Sequence, residues 1–184
     1  AEQAADQVGH SDLKVFSTAP GRVTFLQACQ GLPITLIPDA SPGSDMLYSS
    51  GMTGRPKGVR PELPVGSLEQ LTPLMRTGET LYRMGDQSVD LSTSPLYHAA
   101  PLRWAMTIQR LGGTVIVMER FDAEAALSLT ERFKVSHATY VPTHFVRMLK
   151  LPEDVRAKYD HSSLKAVIHA AAPCPLQVKE AMIE

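Results

Sequence analysis

Residues 48–59 read YSSGMTGRPKGV and combine three glycines, four hydroxyl-bearing residues and a single lysine. Glycine lets an anion approach the backbone closely because no Cβ stands in the way, and the N–H groups of a turn can point together at one anion. The hydroxyl groups of Ser49, Ser50 and Thr53 add hydrogen-bond donors, and Lys57 adds a positive charge. Since each charge-assisted hydrogen bond contributes roughly 1.5–3 kcal/mol, this segment predicts a site for a triphosphate.

The segment differs from the common P-loop, G-x-x-x-x-G-K-[ST], at two positions. Counted from Gly51, Lys57 has the separation that the P-loop requires. However, Pro56 replaces the second glycine, and Gly58 stands where the metal-binding Ser or Thr belongs. Composition alone therefore leaves two alternatives open, an atypical P-loop of a phosphotransferase and a flexible loop with a solvated lysine.

Short apolar runs alternate with segments of helical spacing along the chain, and these elements must position the loop. Strands are predicted over residues 13–17, 45–50, 88–94, 114–119, 137–141 and 164–170, and helices over residues 23–29, 100–111, 121–133, 143–151 and 176–184. Asp122 is a predicted N-cap, and Gly112 marks a predicted helix end. Residues 60–73, which contain three prolines, are predicted to form a surface excursion. The alternation predicts an α/β fold with a mainly parallel sheet flanked by helices.

Composition and charge exclude several functional classes. The chain of 184 residues is 43% hydrophobic and has a formal net charge of -1, which is typical of a globular protein and gives no electrostatic reason to expect a nucleic acid partner. Cys29 and Cys174 lie far apart without CxxC spacing, so neither a zinc site nor a disulfide framework is predicted. No stretch has the length of a membrane span, and the N-terminus lacks the features of a signal peptide. We therefore predict a cytoplasmic protein.

The stretch YSSGMTGRPKGV resembles the phosphate-binding signature of the adenylate-forming (AMP-binding) superfamily, which includes acyl-CoA and aryl-CoA synthetases. The superfamily pattern is [YF]-[ST]-[ST]-G-[ST]-T-G-x-P-K-G, and this chain departs from it only at Met52, whose side chain lacks a hydroxyl group. The resemblance implies that Lys57 is catalytic and that Ser49 assists a Mg²⁺ ion. The implied contacts to the phosphates of ATP are Ser49, Ser50, Gly51, Met52, Thr53, Gly54 and Lys57.

Three further stretches resemble elements of the same superfamily. SPLYHAAPL, residues 94–102, is similar to a motif near the carboxylate substrate and implies a catalytic role for His98. YVPTHFVRML, residues 140–149, is similar to the segment that lines the acyl pocket, and LKAVIHAAAPCP, residues 164–175, to the turn that packs against adenine. The implied acyl-substrate contacts are Tyr97, His98, Trp104, Tyr140 and Thr143, and the implied adenine contacts are Ala170, Ala171, Ala172 and Pro173.

Several of these residues also have a purely structural interpretation. His98 could be a histidine that ends a strand, and Tyr97 and Trp104 could be core aromatics. His144, which follows Thr143 at another strand end, could face solvent. The sequence leaves both interpretations open for each residue.

The resemblance implies that residues 1–184 are part of a large N-terminal domain, with the phosphate loop at 48–59 and the substrate and adenine elements at 94–175. The C-terminal domain is expected to be absent. The implied parent enzyme is an acyl-CoA synthetase, an acid–thiol ligase that uses ATP, Mg²⁺ and coenzyme A to activate a carboxylic acid, by our interpretation a fatty acid. The fragment alone is expected to be inactive.

Two other functions remain open at this stage. One is a fatty acyl-AMP ligase that passes its acyl group to a carrier protein instead of CoA. The other is a nucleotide-binding module that catalyses nothing. The oligomeric state is open as well.

Overall fold

A computed structural model describes residues 27, 29–35, 42–49 and 57–183 of the chain. The chain forms two compact units, Ala1–Gln70 and Leu71–Glu184. The strand predicted over residues 13–17 lies outside the described residues. Most of the helix predicted over residues 23–29 lies outside them too, although Gln27 and Cys29 are helical.

A two-stranded antiparallel hairpin flanks the phosphate segment in the first unit. It consists of β1 (Leu47–Ser49) and β2 (Lys57–Val59). Ser49 pairs with Lys57, and Tyr48 pairs with Gly58. A Cβ atom at Gly58 would come within 3.0 Å of the Tyr48 ring, so glycine lets that ring pack onto the neighbouring strand. The hairpin thus holds the two ends of the predicted phosphate loop next to each other.

The second unit is a four-stranded parallel sheet with helices on both faces. Its strands are β3 (Val89–Ser92), β4 (Thr114–Val117), β5 (His137–Tyr140) and β6 (Ala166–His169). Its helices are α1 (Pro73–Tyr82), α2 (Ala99–Arg110), α3 (Ala123–Arg132), α4 (Pro142–Leu149), α5 (Glu153–Arg156) and α6 (Leu176–Ile183). The strands lie in the order β4-β3-β5-β6, and every neighbouring pair is parallel. The predicted α/β architecture is therefore confirmed.

The strands and helices predicted from residue 88 onward are all found, with slightly different ends. Helix α1 is an addition to the predicted elements, although Leu74, Met75, Leu81 and Tyr82 have helical spacing and Thr72 caps the helix by accepting from Met75 N at 3.3 Å. Gly78 lies in its middle, and glycine is a poor helix former. A Cβ atom at Gly78 would lie 3.0 Å from Met84 Sδ and 3.3 Å from Thr107 Cγ2, so glycine allows α1 to pack closely against α2. Tertiary packing therefore favours glycine at this position despite its low helix propensity.

One face of the sheet carries the main apolar core. Leu91, Ala138 and Tyr140 point to this face, where they pack against α3, α4 and α6. Ala126 of α3 is completely buried, and Asp122 caps that helix by accepting a hydrogen bond from Ala125 N at 2.9 Å, as predicted. The apolar stripe of α3 thus faces the sheet.

The opposite face, covered by α2, is polar although it is buried. Because side chains alternate along a strand, Asp90 and Ser92 of β3 share this face with His137 and Thr139 of β5. All four are buried. His137 Nε2 lies 2.9 Å from the carbonyl oxygen of Tyr82 and so ties the end of α1 to the sheet. The Asp90 Oδ2, Ser92 Oγ and Thr139 Oγ1 atoms have no hydrogen-bond partner within the described residues.

Gly113, which follows α2, is in close contact with backbone atoms. A Cβ atom there would lie 2.7 Å from the Ser88 carbonyl oxygen and 3.0 Å from that of Gly85. We expect Gly113→Ala to lower the free energy of unfolding by about 1–3 kcal/mol, as overpacking does elsewhere. Urea unfolding measures this change. Gly85→Ala is the matched control, since a Cβ at Gly85 has no neighbour within 4 Å; equal losses in the two variants would contradict the steric explanation.

Burial raises the pKa of Asp90 to about 7 from its ordinary value of 3.8. The folded protein therefore keeps a proton that the unfolded chain releases, so Asp90 lowers stability progressively as the pH rises from about 4 to about 7, by roughly 4 kcal/mol at most. Asp90→Asn, which stays neutral, should stabilise the protein at about pH 8 much more than at about pH 4. Urea unfolding at both pH values tests this. The exposed Asp154→Asn is the control, and a difference between wild type and Asp90→Asn that does not vary with pH would refute the assignment.

Candidate active site

The carboxyl ends of the four parallel strands meet at one edge of the sheet, which is where ligands bind in open α/β sheets. The segment that contains Tyr97 and His98 follows β3, and Thr143 follows β5. Residues 170–173 follow β6. The fold therefore brings the predicted acyl-substrate and adenine segments, which are distant in sequence, to the same edge.

Tyr97 and His98 lie immediately before α2. His98 occupies the N-cap position, yet its side chain makes no capping hydrogen bond. Its ring lies 4.4 Å from that of Tyr97, centroid to centroid, at 49°. Both side chains are exposed, Tyr97 by 81% of its surface. Neither is needed to complete the core of the described residues, so both are available for a ligand.

Trp104 and Tyr140 lie in more structural positions. The half-buried Trp104 ring packs edge-on against the half-buried Tyr82 of α1, with 5.4 Å between the centroids. Tyr140 is 4% exposed and belongs to the apolar core, and burial raises the pKa of its phenol to about 12. Their contacts to substrate remain predictions.

His144 makes both hydrogen-bond and ring contacts at this edge, and the sequence left open whether it faces solvent. Its Nδ1 atom lies 3.2 Å from Thr93 Oγ1, and Thr93 Oγ1 donates to the Thr139 carbonyl oxygen at 2.7 Å. Its ring stacks on Phe121, which follows β4, at 3.8 Å and 10°. Burial, and then the nearby Arg147, lower the pKa of His144 to about 4. The ring is therefore neutral at physiological pH and is not a solvent-facing side chain, whereas Thr143 beside it is exposed.

The predicted adenine turn contains a strained residue. Ala170 N donates to the Tyr140 carbonyl oxygen at 3.2 Å and so extends the ladder of β6 by one residue. Ala171 then adopts a left-handed conformation with φ 73°, which costs an L-residue about 1–2 kcal/mol. Residues held in such conformations occur often at ligand sites. The chain thus turns sharply at the place where the sequence predicts contact with adenine.

The predicted phosphate site is described only at its ends. Ser50, Gly51, Met52, Thr53 and Gly54 lie outside the described residues. The Lys57 side chain is exposed at the start of β2 and makes no hydrogen bond or ion pair within the described part of the chain. The backbone of Ser49 pairs with it. The hairpin is therefore compatible with the predicted phosphate role of Lys57, which remains a prediction.

Within the described ranges no group of three or more His, Cys, Asp or Glu side chains is placed to hold a metal ion. None of the described helices has both the length and the apolar content that crossing a membrane requires.

A family model for "AMP-binding enzyme" matches residues 22–184 of the chain. The chain belongs to the AMP-binding enzyme family. This confirms the resemblance that the glycine-rich motif carries, and the match extends it to most of the chain.

Curated proteins that resemble the chain include several that are CoA ligases by name. The chain is 33% identical over 143 residues to a probable CoA ligase, CCL5, of Humulus lupulus, covering 76% of the chain and 25% of that protein. It is 32% identical over 150 residues to 4-coumarate–CoA ligase 5 of Oryza sativa subsp. japonica, covering 81% of the chain and 27% of that protein. The chain thus spans about a quarter of the length of these relatives.

Solved structures of the AMP-binding family agree with the fold. The inhibitor-bound N-terminal domain of FACL13 from Mycobacterium tuberculosis superimposes with a TM-score of 0.59 and 25% identity, over 79% of this chain and 35% of that one. ATP-bound MatB from Rhodopseudomonas palustris gives a TM-score of 0.57 and 25% identity, over 73% of this chain and 25% of that one. The parallel sheet with flanking helices is therefore that of the AMP-binding family.

Ala171 offers a stability test of the strained turn. We expect Ala171→Gly to raise the free energy of unfolding by about 0.5–1 kcal/mol, because glycine adopts a left-handed conformation without a Cβ clash. Ala170→Gly is the matched control. It should lower the free energy of unfolding, since flexibility is added where φ is not positive. Urea unfolding distinguishes the two signs, and destabilisation by both substitutions would contradict strain at Ala171.

Proposed function

We propose that the chain is part of an ATP-dependent acyl-CoA synthetase. In this reaction the carboxylate of the substrate attacks the α-phosphate of ATP, and an acyl-adenylate and pyrophosphate are formed. The thiol of coenzyme A then attacks the acyl carbonyl, so that AMP leaves and a thioester remains. Membership of the AMP-binding family and the CoA ligase names of the relatives support this reaction.

The observation on which the proposal depends most is the arrangement at the carboxyl edge of the sheet. The exposed pair Tyr97 and His98 follows β3, and the strained turn at Ala171 follows β6 of the same parallel sheet, with β5 between the two strands. More than seventy residues separate them in the sequence. We propose that the acid binds beside His98 and that adenine binds beside residues 170–173. A carboxylate and a nucleotide that bind at the same edge can be held in an orientation for attack, which lowers the entropic part of the barrier.

Lys57 and the glycine-rich segment have an electrostatic role in this proposal. Lys57 would neutralise charge on the β- and γ-phosphates and so favour the departure of pyrophosphate. Mg²⁺ bound to ATP keeps several water ligands and needs few protein oxygens. The hydroxyl of Ser49 is our candidate ligand, and the metal would supply further neutralisation of phosphate charge.

We propose a broader class of acid than the fatty acid that the sequence indicated. The curated relatives include ligases named after 4-coumarate, and one named after OPC-8:0. Rings of Phe121, Tyr140 and Phe145 lie close together at and below the carboxyl edge. We therefore propose a carboxylic acid with an apolar or aromatic body, of which a fatty acid is one case.

A substitution of Lys57 in the whole enzyme tests the phosphate role. Lys57→Ala should slow acyl-adenylate formation on the order of 100-fold, because one positioned charge on the reacting group is lost. Thioester formation from supplied acyl-adenylate should hardly change, since no pyrophosphate leaves in that step. Pyrophosphate release measures the first step, and thioester formation measures the second.

The exposed Lys165→Ala is the matched control and should leave both steps unchanged. Equal losses in both steps for Lys57→Ala would mean that Lys57 is structural. The products of the unmodified enzyme test the reaction itself. AMP and pyrophosphate are expected, ADP would indicate a phosphotransferase, and adenylate that reacts with a carrier protein but not with CoA would indicate a fatty acyl-AMP ligase.

A further inference from the structure

We propose that His144 acts as a fixed hydrogen-bond acceptor that selects acids carrying a hydroxyl or N–H donor on their body. This inference rests on the proposed function, because it assigns the acid to the same edge of the sheet. It adds a specificity-determining residue that the motifs do not provide, for acids that carry a donor, as the 4-coumarate in the names of several relatives does.

The hydrogen bonds around Thr93 fix the tautomer of His144. The Thr93 hydroxyl has one proton, and an oxygen–oxygen distance of 2.7 Å to the Thr139 carbonyl requires that this proton lie between them. Thr93 Oγ1 can therefore only accept from His144 Nδ1, which lies 3.2 Å away. Since a neutral imidazole carries one proton, that proton is on Nδ1. The lone pair is on Nε2.

The Nε2 atom of His144 is available to a ligand. It has no hydrogen-bond partner within the described residues, and it is not one of their fully buried unpaired atoms, so it reaches solvent although the residue as a whole is only 9% exposed. Burial and the neighbouring Arg147 lower the pKa of the ring to about 4, which keeps Nε2 unprotonated at neutral pH. His144 therefore offers an acceptor there and no donor.

Aromatic rings hold the imidazole in this orientation. Phe121 stacks on it at 3.8 Å, and the Tyr140 ring stands edge-on to it at 6.1 Å and 88°. The two ring contacts fix the plane of the imidazole, and the bond to Thr93 selects between its two orientations in that plane. A ligand in this place would therefore meet one acceptor nitrogen set among apolar rings.

Such a site discriminates between acids of nearly equal shape. An acid with a suitably placed hydroxyl group donates a hydrogen bond to Nε2 in place of the solvent. An acid without a donor excludes solvent and leaves Nε2 unpaired, which is costly in an apolar environment. The preference should appear in kcat/KM for the acid, and KM for ATP should not change.

The test compares matched acids in the whole enzyme. The pairs are 4-coumarate with cinnamate, and a hydroxylated fatty acid with its parent, so that each pair differs by one hydroxyl group. We expect the wild type to prefer the hydroxylated member of at least one pair by roughly tenfold in kcat/KM. His144→Phe keeps a stacked ring but has no acceptor, so the preference should fall to about one.

Thr93 provides a second variant that does not touch the acid. Thr93→Val removes the partner of Nδ1, so that the proton can move to Nε2, and the preference should fall here as well. Thr93→Ser keeps the hydroxyl group and should restore it. ¹⁵N chemical shifts of His144 provide a readout independent of activity, because a protonated Nδ1 and an unprotonated Nε2 are expected in the wild type and in Thr93→Ser only.

Four results would overturn the inference. The first is that the wild type shows no preference within either pair of acids, and the second is that His144→Phe leaves the preference intact. The third is a wild-type spectrum with the proton on Nε2. The fourth is that His144→Phe changes only KM for ATP, which would place the hydrogen-bond donor on the amino group of the nucleotide. If neither AMP nor pyrophosphate is formed from any acid, the proposed function itself is wrong. If AMP is formed but the ratio of kcat/KM for the two acids of a pair is the same in the wild type and in His144→Phe, only the role of His144 is wrong.

Discussion

Strand β3 is hydrogen-bonded in parallel to β4 on one side and to β5 on the other. Parallel neighbours cannot be joined by a tight turn, so each strand is followed by a loop and a helix that cross back over the sheet. As a consequence the segments after β3, β4, β5 and β6 all emerge at one edge. The candidate active site exists because of this ladder, since Tyr97, Phe121, His144 and Ala171 each belong to a different one of those segments.

The two faces of the sheet have different physical roles. The face toward α3, α4 and α6 is apolar and supplies the main core. The face toward α2 buries Asp90, Ser92, His137 and Thr139. The His137 ring is bonded to Ser136 and to the Tyr82 carbonyl, whereas Asp90 Oδ2, Ser92 Oγ and Thr139 Oγ1 have no partner within the described residues. Buried polar groups without partners cost stability, so this face reduces the stability that the apolar face provides, and a neutral Asp90 costs less there than an ionised one.

The two units carry candidate sites of different kinds. The hairpin of β1 and β2 holds the ends of a segment whose chemistry is local, because glycines, hydroxyl groups and Lys57 follow one another in the chain. The sheet edge instead combines groups that are far apart in sequence. His144 illustrates this dependence, since its tautomer is set by Thr93, 51 residues earlier, and its ring is held by Phe121. The two kinds of site differ in how far they can be recognised from the sequence.

The sequence by itself determined the glycine-rich motif, the family, the α/β class and most strands and helices, because these depend on neighbouring residues and on periodic spacing. It also located the cap at Asp122 and the helix end at Gly112. Only the tertiary structure decided the strand order, the close packing at Gly78, the burial of Asp90 and the surroundings of His144. Those features arise from contacts between residues that are distant along the chain, and no local pattern encodes which distant residues will meet.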